Sequence, residues 1–115
     1  MAGFYEGIDF GGKTIAVLGG AGLLGASVAE GLADLNARPV IVDVSLDQGQ
    51  KIVDKITQKG KKSEFYQADL SKTEEIEEVV TSIETSYGAI SGWVLSFYPR
   101  TEDWGNRLED VPVES

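Results

Sequence analysis

The 115-residue chain has no cysteine and no histidine. Those absences exclude a disulfide framework, a thiolate or imidazole zinc site, and any Ser-His or Cys-His catalytic pair. Basic residues are scarce: ten Lys and Arg against nineteen Asp and Glu leave a formal net charge of −9. Binding to a nucleic-acid backbone rests on basic patches, so this balance argues against a nucleic-acid partner. No apolar run approaches the roughly 20 residues that span a bilayer. The opening Met1-Ala2-Gly3-Phe4-Tyr5-Glu6 lacks the basic and apolar regions of a secretory signal, and alanine at position 2 excludes myristoylation. A soluble, cytoplasmic protein without membrane or nucleic-acid partners is the expectation.

What is present is the mixture of a folded globular domain, with 42% hydrophobic and 25% charged residues. The length suits one core. Residues 1–12, glycine- and aromatic-rich without periodicity, read as a surface leader. Thr14-Ile15-Ala16-Val17-Leu18 is a short apolar run that predicts a strand buried on both faces. After Gly19-Gly20-Ala21-Gly22 the spacing of Leu24, Val28, Leu32 and Leu35 predicts a helix over 23–35 with one apolar stripe. Pro39 to Val44 predicts a second buried strand. Ser45 followed by Gln48 is a capping box for a helix with Ile52, Val53 and Ile56 inward and Gly60 as its stop. The lysines at 51, 55, 59, 61 and 62 fall on the exposed side and C-terminal end of that helix, as a solvated face. Ser63 to Ala68 predicts a weaker third strand. Ser71 with Glu74 reads as another capping box, and Ile76, Val79, Val80, Ile83 and Tyr87 mark an amphipathic helix ended by Gly88. Gly92 to Phe97 predicts a fourth strand, and residues 98–115 form an irregular tail with one short turn of helix near 106–110. Alternating strands and helices imply an α/β, Rossmann-type three-layer domain over 13–97, with a parallel sheet of about four strands in the order 3-2-1-4.

Chemistry concentrates in Gly20-Ala21-Gly22-Leu23-Leu24-Gly25, a G-x-G-x-x-G between a strand and a helix. Missing Cβ atoms let the backbone turn tightly and approach a pyrophosphate, whose charge the helix N-terminus favours. Asp43 ends the next strand, 18 positions after Gly25 and 23 after Gly20, where such fingerprints place an acidic residue about 20 positions on. Its carboxylate would accept hydrogen bonds from both adenosine ribose hydroxyls and repel a 2′-phosphate. Val44 and Ser45 supply no cation to hold that phosphate, so NAD is favoured over NADP. The bland alternatives are a glycine-rich turn that binds nothing and a solvated carboxylate at a strand end.

Three stretches, Lys13 to Gly25, Val40-Ile41-Val42-Asp43 and Ala68-Asp69-Leu70-Ser71, resemble the short-chain dehydrogenase/reductase superfamily. Gly19, Gly22 and Gly25 match its T-G-x-x-G-x-x-G variant, with Leu18 where the family usually has threonine. The resemblance implies that Asp69 lies beside the adenine with Leu70 against the ring. It also places Ser96, within Leu95-Ser96-Phe97-Tyr98, where an Asn-Asn-Ala-Gly motif usually closes the fourth strand, and makes it a further residue of the cofactor site. The segment Tyr98-Pro99-Arg100-Thr101-Glu102-Asp103-Trp104-Gly105 resembles the branch associated with nonulosonic-acid and flagellin-glycan biosynthesis.

The family's chemistry uses a Tyr-x-x-x-Lys pair, with tyrosine as proton donor or acceptor and lysine lowering its pKa. Four places after Tyr5, Tyr66, Tyr87 and Tyr98 stand Asp9, Leu70, Ser91 and Glu102, none of them lysine. The resemblance covers about residues 8–110 and implies the N-terminal NAD-binding portion of such an oxidoreductase, inactive by itself. A fourth strand left at an apolar edge predicts self-association, as in a dimer, unless Trp104 and Leu108 of the tail cover it. Arg100 reads as an anion ligand or as a rim arginine paired with Glu102 or Asp103. The alternative function is a non-catalytic nucleotide-sensing or assembly module of the same fold.

Overall fold

A computed structural model describes residues 9–96. The first eight residues, Phe97, the 98–105 motif, and the tail, with the contacts and short turn expected of it, lie outside the described residues.

The elements follow the expected alternation. They are β1 (Thr14–Leu18), α1 (Leu23–Asp34), β2 (Arg38–Asp43), α2 (Leu46–Gln58), β3 (Glu64–Gln67), α3 (Thr73–Tyr87) and β4 (Gly92–Leu95). All pairings are parallel and the sheet order is β3-β2-β1-β4. The chain thus moves outward from β1 through β2 to β3, then crosses back to place β4 on the far side of β1. Strand order reverses between β1 and β4, and in open α/β sheets the crevice beyond the strand C-termini at that reversal is where ligands bind.

Strand alternation divides the core in two. Val40 and Val42 of β2 point to one face, with Leu18, Ala68, Val79 and Ile83 of α3. Ile41 points to the other, with Ala29 and Ala33 of α1 and Val53 and Ile56 of α2. Every residue of β1 is buried, whereas β3 and β4 are only half covered. On β4, Trp93 is 48% and Leu95 66% exposed. Their register with Ala16 and Leu18 puts both on the α3 side of the sheet.

Two local expectations change. The line of α1 that packs on the sheet is Gly25, Ala29 and Ala33, not the leucine stripe. Leu24 is exposed, and Val28, Leu32 and Leu35 are half-buried. The small line wins because it lets the helix lie close to the central strands, while the bulkier line one residue earlier straddles its flank. Ser71 does not cap α3, since Lys72 holds the N-cap position and makes no side-chain cap bond. The Ser71 hydroxyl donates instead to Asp69 Oδ1 at 2.6 Å, and Glu75, not Glu74, reaches back to accept from the Asp69 N–H at 2.9 Å. Asp9 to Gly12, read as part of the surface leader, lie mostly exposed and are bonded to the turn that follows α1. Phe10 and Gly12 donate to the Leu35 and Asn36 carbonyls at 2.8 and 2.7 Å, and Asp9 accepts from Gly11 N–H and Asn36 Nδ2.

The Ser45 cap is present, accepting from the Gln48 N–H at 3.4 Å. The lysine group is not merely solvated. Lys55 and Lys59 both lie 3.4 Å from Glu30 of α1, and Lys61 donates to Asn36 Oδ1. Exposed pairs of this kind contribute at most about 1 kcal/mol.

Candidate functional site

The loop from β1 to α1 is shaped by contacts that only glycine permits. Gly19 turns the chain at φ +81°, a left-handed conformation costly for other residues. A Cβ on Gly25 would stand 2.5 Å from Gly20 Cα and 2.7 Å from the Gly19 oxygen, both backbone atoms that cannot yield. The third contact of that missing Cβ, at 2.8 Å, is Ser96 Oγ. Gly22 differs from both. It is exposed at the N-cap of α1 with ordinary φ −76° and ψ 173°, and a Cβ there would meet nothing nearer than the Gly19 oxygen at 3.9 Å. Packing among the described residues does not demand glycine at position 22, which lies exposed.

The first turn of α1 has no side-chain cap and no acidic residue. A helix start leaves unpaired N–H groups and a partial positive charge, and among the described residues no side chain caps those N–H groups. Leu23 and Leu24 flank this opening, 89% and 66% exposed.

The loop is tied to both neighbouring strands. The Gly19 N–H donates to the Val42 carbonyl of β2 at 2.7 Å. Asp43, half-buried at the end of β2, accepts from the Ala21 N–H through Oδ2 at 3.1 Å, and from Val44 and Ser45 N–H through Oδ1 at 2.6 and 3.3 Å. On the β4 side Ser96 donates its N–H to Leu18 O at 2.9 Å. Its hydroxyl lies 2.8 Å from Gly19 O and 3.1 Å from Leu18 O.

The other expected site residues lie at the same edge. The Ala68 N–H donates to the Asp43 carbonyl, which brings Asp69 directly beyond β3. The Ser71 hydroxyl and N–H on Asp69 hold its carboxyl below the usual carboxylate range. Leu70 turns toward the α3-side core, packed partly against it. Sequence reasoning passed over two features. Asp43 is bonded to the glycine loop itself, which its position 22 residues after Ala21 does not reveal. Val44 and Leu46 stand beside it as exposed apolar side chains, 62% and 51% open. Apolar residues directly after a strand-end acid were the available signal.

Tyr87 lies elsewhere. It closes α3 at the opposite end of the sheet, its ring 4.5 Å from the Arg38 guanidinium at the start of β2. Burial, together with Glu64, pushes its phenol up to about 12, away from the range in which a general acid or base works.

Residues 13–96 match the family model described as short chain dehydrogenase. The chain belongs to the short-chain dehydrogenase family. An uncharacterised oxidoreductase of Bacillus subtilis is 28% identical over 102 residues, covering 89% of this chain and 37% of its own length. A Haemophilus influenza protein provisionally assigned as a D-mannonate oxidoreductase, solved with bound NAD, is 27% identical with a TM-score of 0.73, over 78% of this chain and 32% of that one. The L-sorbose reductase of Gluconobacter frateurii, complexed with NADPH and L-sorbose, shares the fold with a TM-score of 0.76 at 21% identity, over 93% of this chain and 40% of that one. The short-chain dehydrogenase portion seen here thus spans well under half the length of these relatives.

Proposed function

We propose that this chain is the dinucleotide-binding portion of a nicotinamide-dependent oxidoreductase. One observation carries the reading: an uncapped helix N-terminus opens beside Gly22, in a loop already held in shape and bonded to Asp43. Gly22 would admit the pyrophosphate to the N–H groups of α1. Gly19, Gly20 and Gly25 would keep the loop tight beneath it, and Leu23 and Leu24 would flank it. Asp43 would accept from the ribose hydroxyls while retaining the Ala21 N–H, and Val44 with Leu46 would border the adenosine. Asp69 and Leu70 would close its far side.

The cofactor we propose is NAD rather than NADP. Asp43 would repel a 2′-phosphate, and Val44 and Ser45 offer no cation to hold one. Relatives of both kinds exist, one solved with NAD and one with NADPH. The reaction of the whole protein would be hydride transfer, with the proton-transfer pair supplied outside the described residues. The finer branch, nonulosonic-acid or flagellin-glycan biosynthesis, rests on residues 98–105 alone. A cytoplasmic location fits an enzyme that draws on the cell's nicotinamide pool. We also propose self-association through β4, because Trp93 and Leu95 lie exposed on it. A clean monomer at about 50 µM by light scattering would refute that.

The test of the cofactor reading is a fluorescence titration with NADH, with NADPH in parallel. Saturable NADH binding, weakened at least tenfold by Asp43→Ala with a narrowed preference over NADPH, is the expected result. No saturation up to millimolar NADH would leave the fold without a competent pocket and favour an assembly module.

A further inference from the structure

We propose that Ser96 is a positioning residue: it fixes the glycine loop from the end of β4 and so couples the loop to that strand. The inference rests on the reading that the loop holds a dinucleotide, and it assigns Ser96 a place behind the loop rather than against the cofactor. Gly19 and Gly20 are consecutive glycines at the point where the chain leaves β1, and glycine is the residue with most backbone freedom to lose. A loop built this way keeps one shape only if its peptide groups are held from outside. Three bonds do so. The Gly19 N–H is bonded to Val42 of β2, and the Ala21 N–H to Asp43. The Ser96 hydroxyl, 2.8 Å from the Gly19 carbonyl, is the anchor from the β4 side. Because the peptide unit is planar and trans, fixing the Gly19 carbonyl also fixes the direction of the Gly20 N–H.

Two further facts place the hydroxyl under the loop. It lies within 3.1 Å of a second carbonyl, Leu18 O, and it is one of the atoms that would crowd a Cβ on Gly25. The Ser96 N–H is itself bonded to Leu18, in continuation of the β1–β4 pairing. Loop and strand therefore share one anchor. Linkage is reciprocal, so a ligand that orders the loop must also protect β4.

The experiment compares the full chain with Ser96→Ala and Ser96→Thr, by hydrogen exchange of the ligand-free proteins and by NADH titration. Ser96→Ala should speed exchange at least fivefold in a peptide covering 19–24, leave α2 and β3 unchanged, and weaken NADH about fivefold, the effect of one lost hydrogen bond. Ser96→Thr, which keeps the hydroxyl, should restore both within about twofold, and NADH should slow exchange in β4 of the parent but less so in Ser96→Ala. Unchanged loop exchange in Ser96→Ala overturns the proposal. Weaker NADH binding with unchanged exchange makes Ser96 a direct cofactor contact, and equal damage by both substitutions makes its role one of packing. If the parent itself binds no NADH, the dinucleotide reading fails while loop exchange still decides the role of Ser96.

Discussion

Replacing Gly22 by aspartate should move stability and cofactor binding in opposite directions. Gly22 holds the N-cap of α1 with an extended backbone, and a Cβ there has 3.9 Å of clearance to its nearest neighbour. Aspartate fits that conformation without strain and is among the best N-cap residues, better than glycine by a few tenths of a kcal/mol. Its charge at the positive end of the helix adds roughly 0.3–1 kcal/mol. Ser45 already caps α2 in this way. A gain of about 0.5–1 kcal/mol corresponds to roughly 3–6 °C in melting temperature for a domain of this size. The same carboxylate would occupy the space proposed for the pyrophosphate. At about 4 Å and an effective dielectric constant near 20, two like charges repel by about 4 kcal/mol, roughly a thousandfold in affinity. Half of that repulsion still leaves about a 30-fold loss. Thermal melts and NADH titration of the purified variant measure both effects. A variant that melts higher yet binds NADH within threefold of the parent would show that the glycine loop is not the phosphate cradle.

Two further outcomes follow from the described residues. Gly31 lies in the middle of α1, exposed, with open space where a Cβ would be. Gly31→Ala should raise stability by about 0.5–1 kcal/mol, read from the urea midpoint, without changing NADH affinity. Tyr87 has its phenol pushed up to about 12 by burial and Glu64. The folded chain then holds a proton that the unfolded chain releases from about pH 10. Its contribution is present below pH 10 and lost as pH rises toward 12. Unfolding midpoints against pH should fall more steeply there for the parent than for Tyr87→Phe, and superimposed curves would contradict the assignment.

Much of the fold was legible along the chain. Ile15 to Leu18 and Pro39 to Val42 are apolar without interruption because strands at the centre of a parallel sheet are buried on both faces. The loop glycines and Asp43 were legible too, since backbone conformation and charge are properties of single residues at fixed spacing. Less legible were choices between two adequate local solutions. In α1 two adjacent lines are apolar, and nothing in their periodicity says which one meets the sheet. At the start of α3 both Ser71 and Lys72 could begin the helix, and the tie broke when Ser71 bonded Asp69 and Glu75 turned back to the Asp69 N–H.

The bonds that shape the site belong to neither category. The sequence by itself determined which residues could turn, bury or carry charge, because steric freedom, hydropathy and ionisation reside in each side chain. Only the tertiary structure decided that the Asp43 carboxylate and the Ser96 hydroxyl hold the same loop from opposite sides, 22 residues from Ala21 and 77 from Gly19. Those distances are set by the order in which strands enter the sheet, β2 on one flank of β1 and β4 on the other, and that order exists only once the sheet has formed.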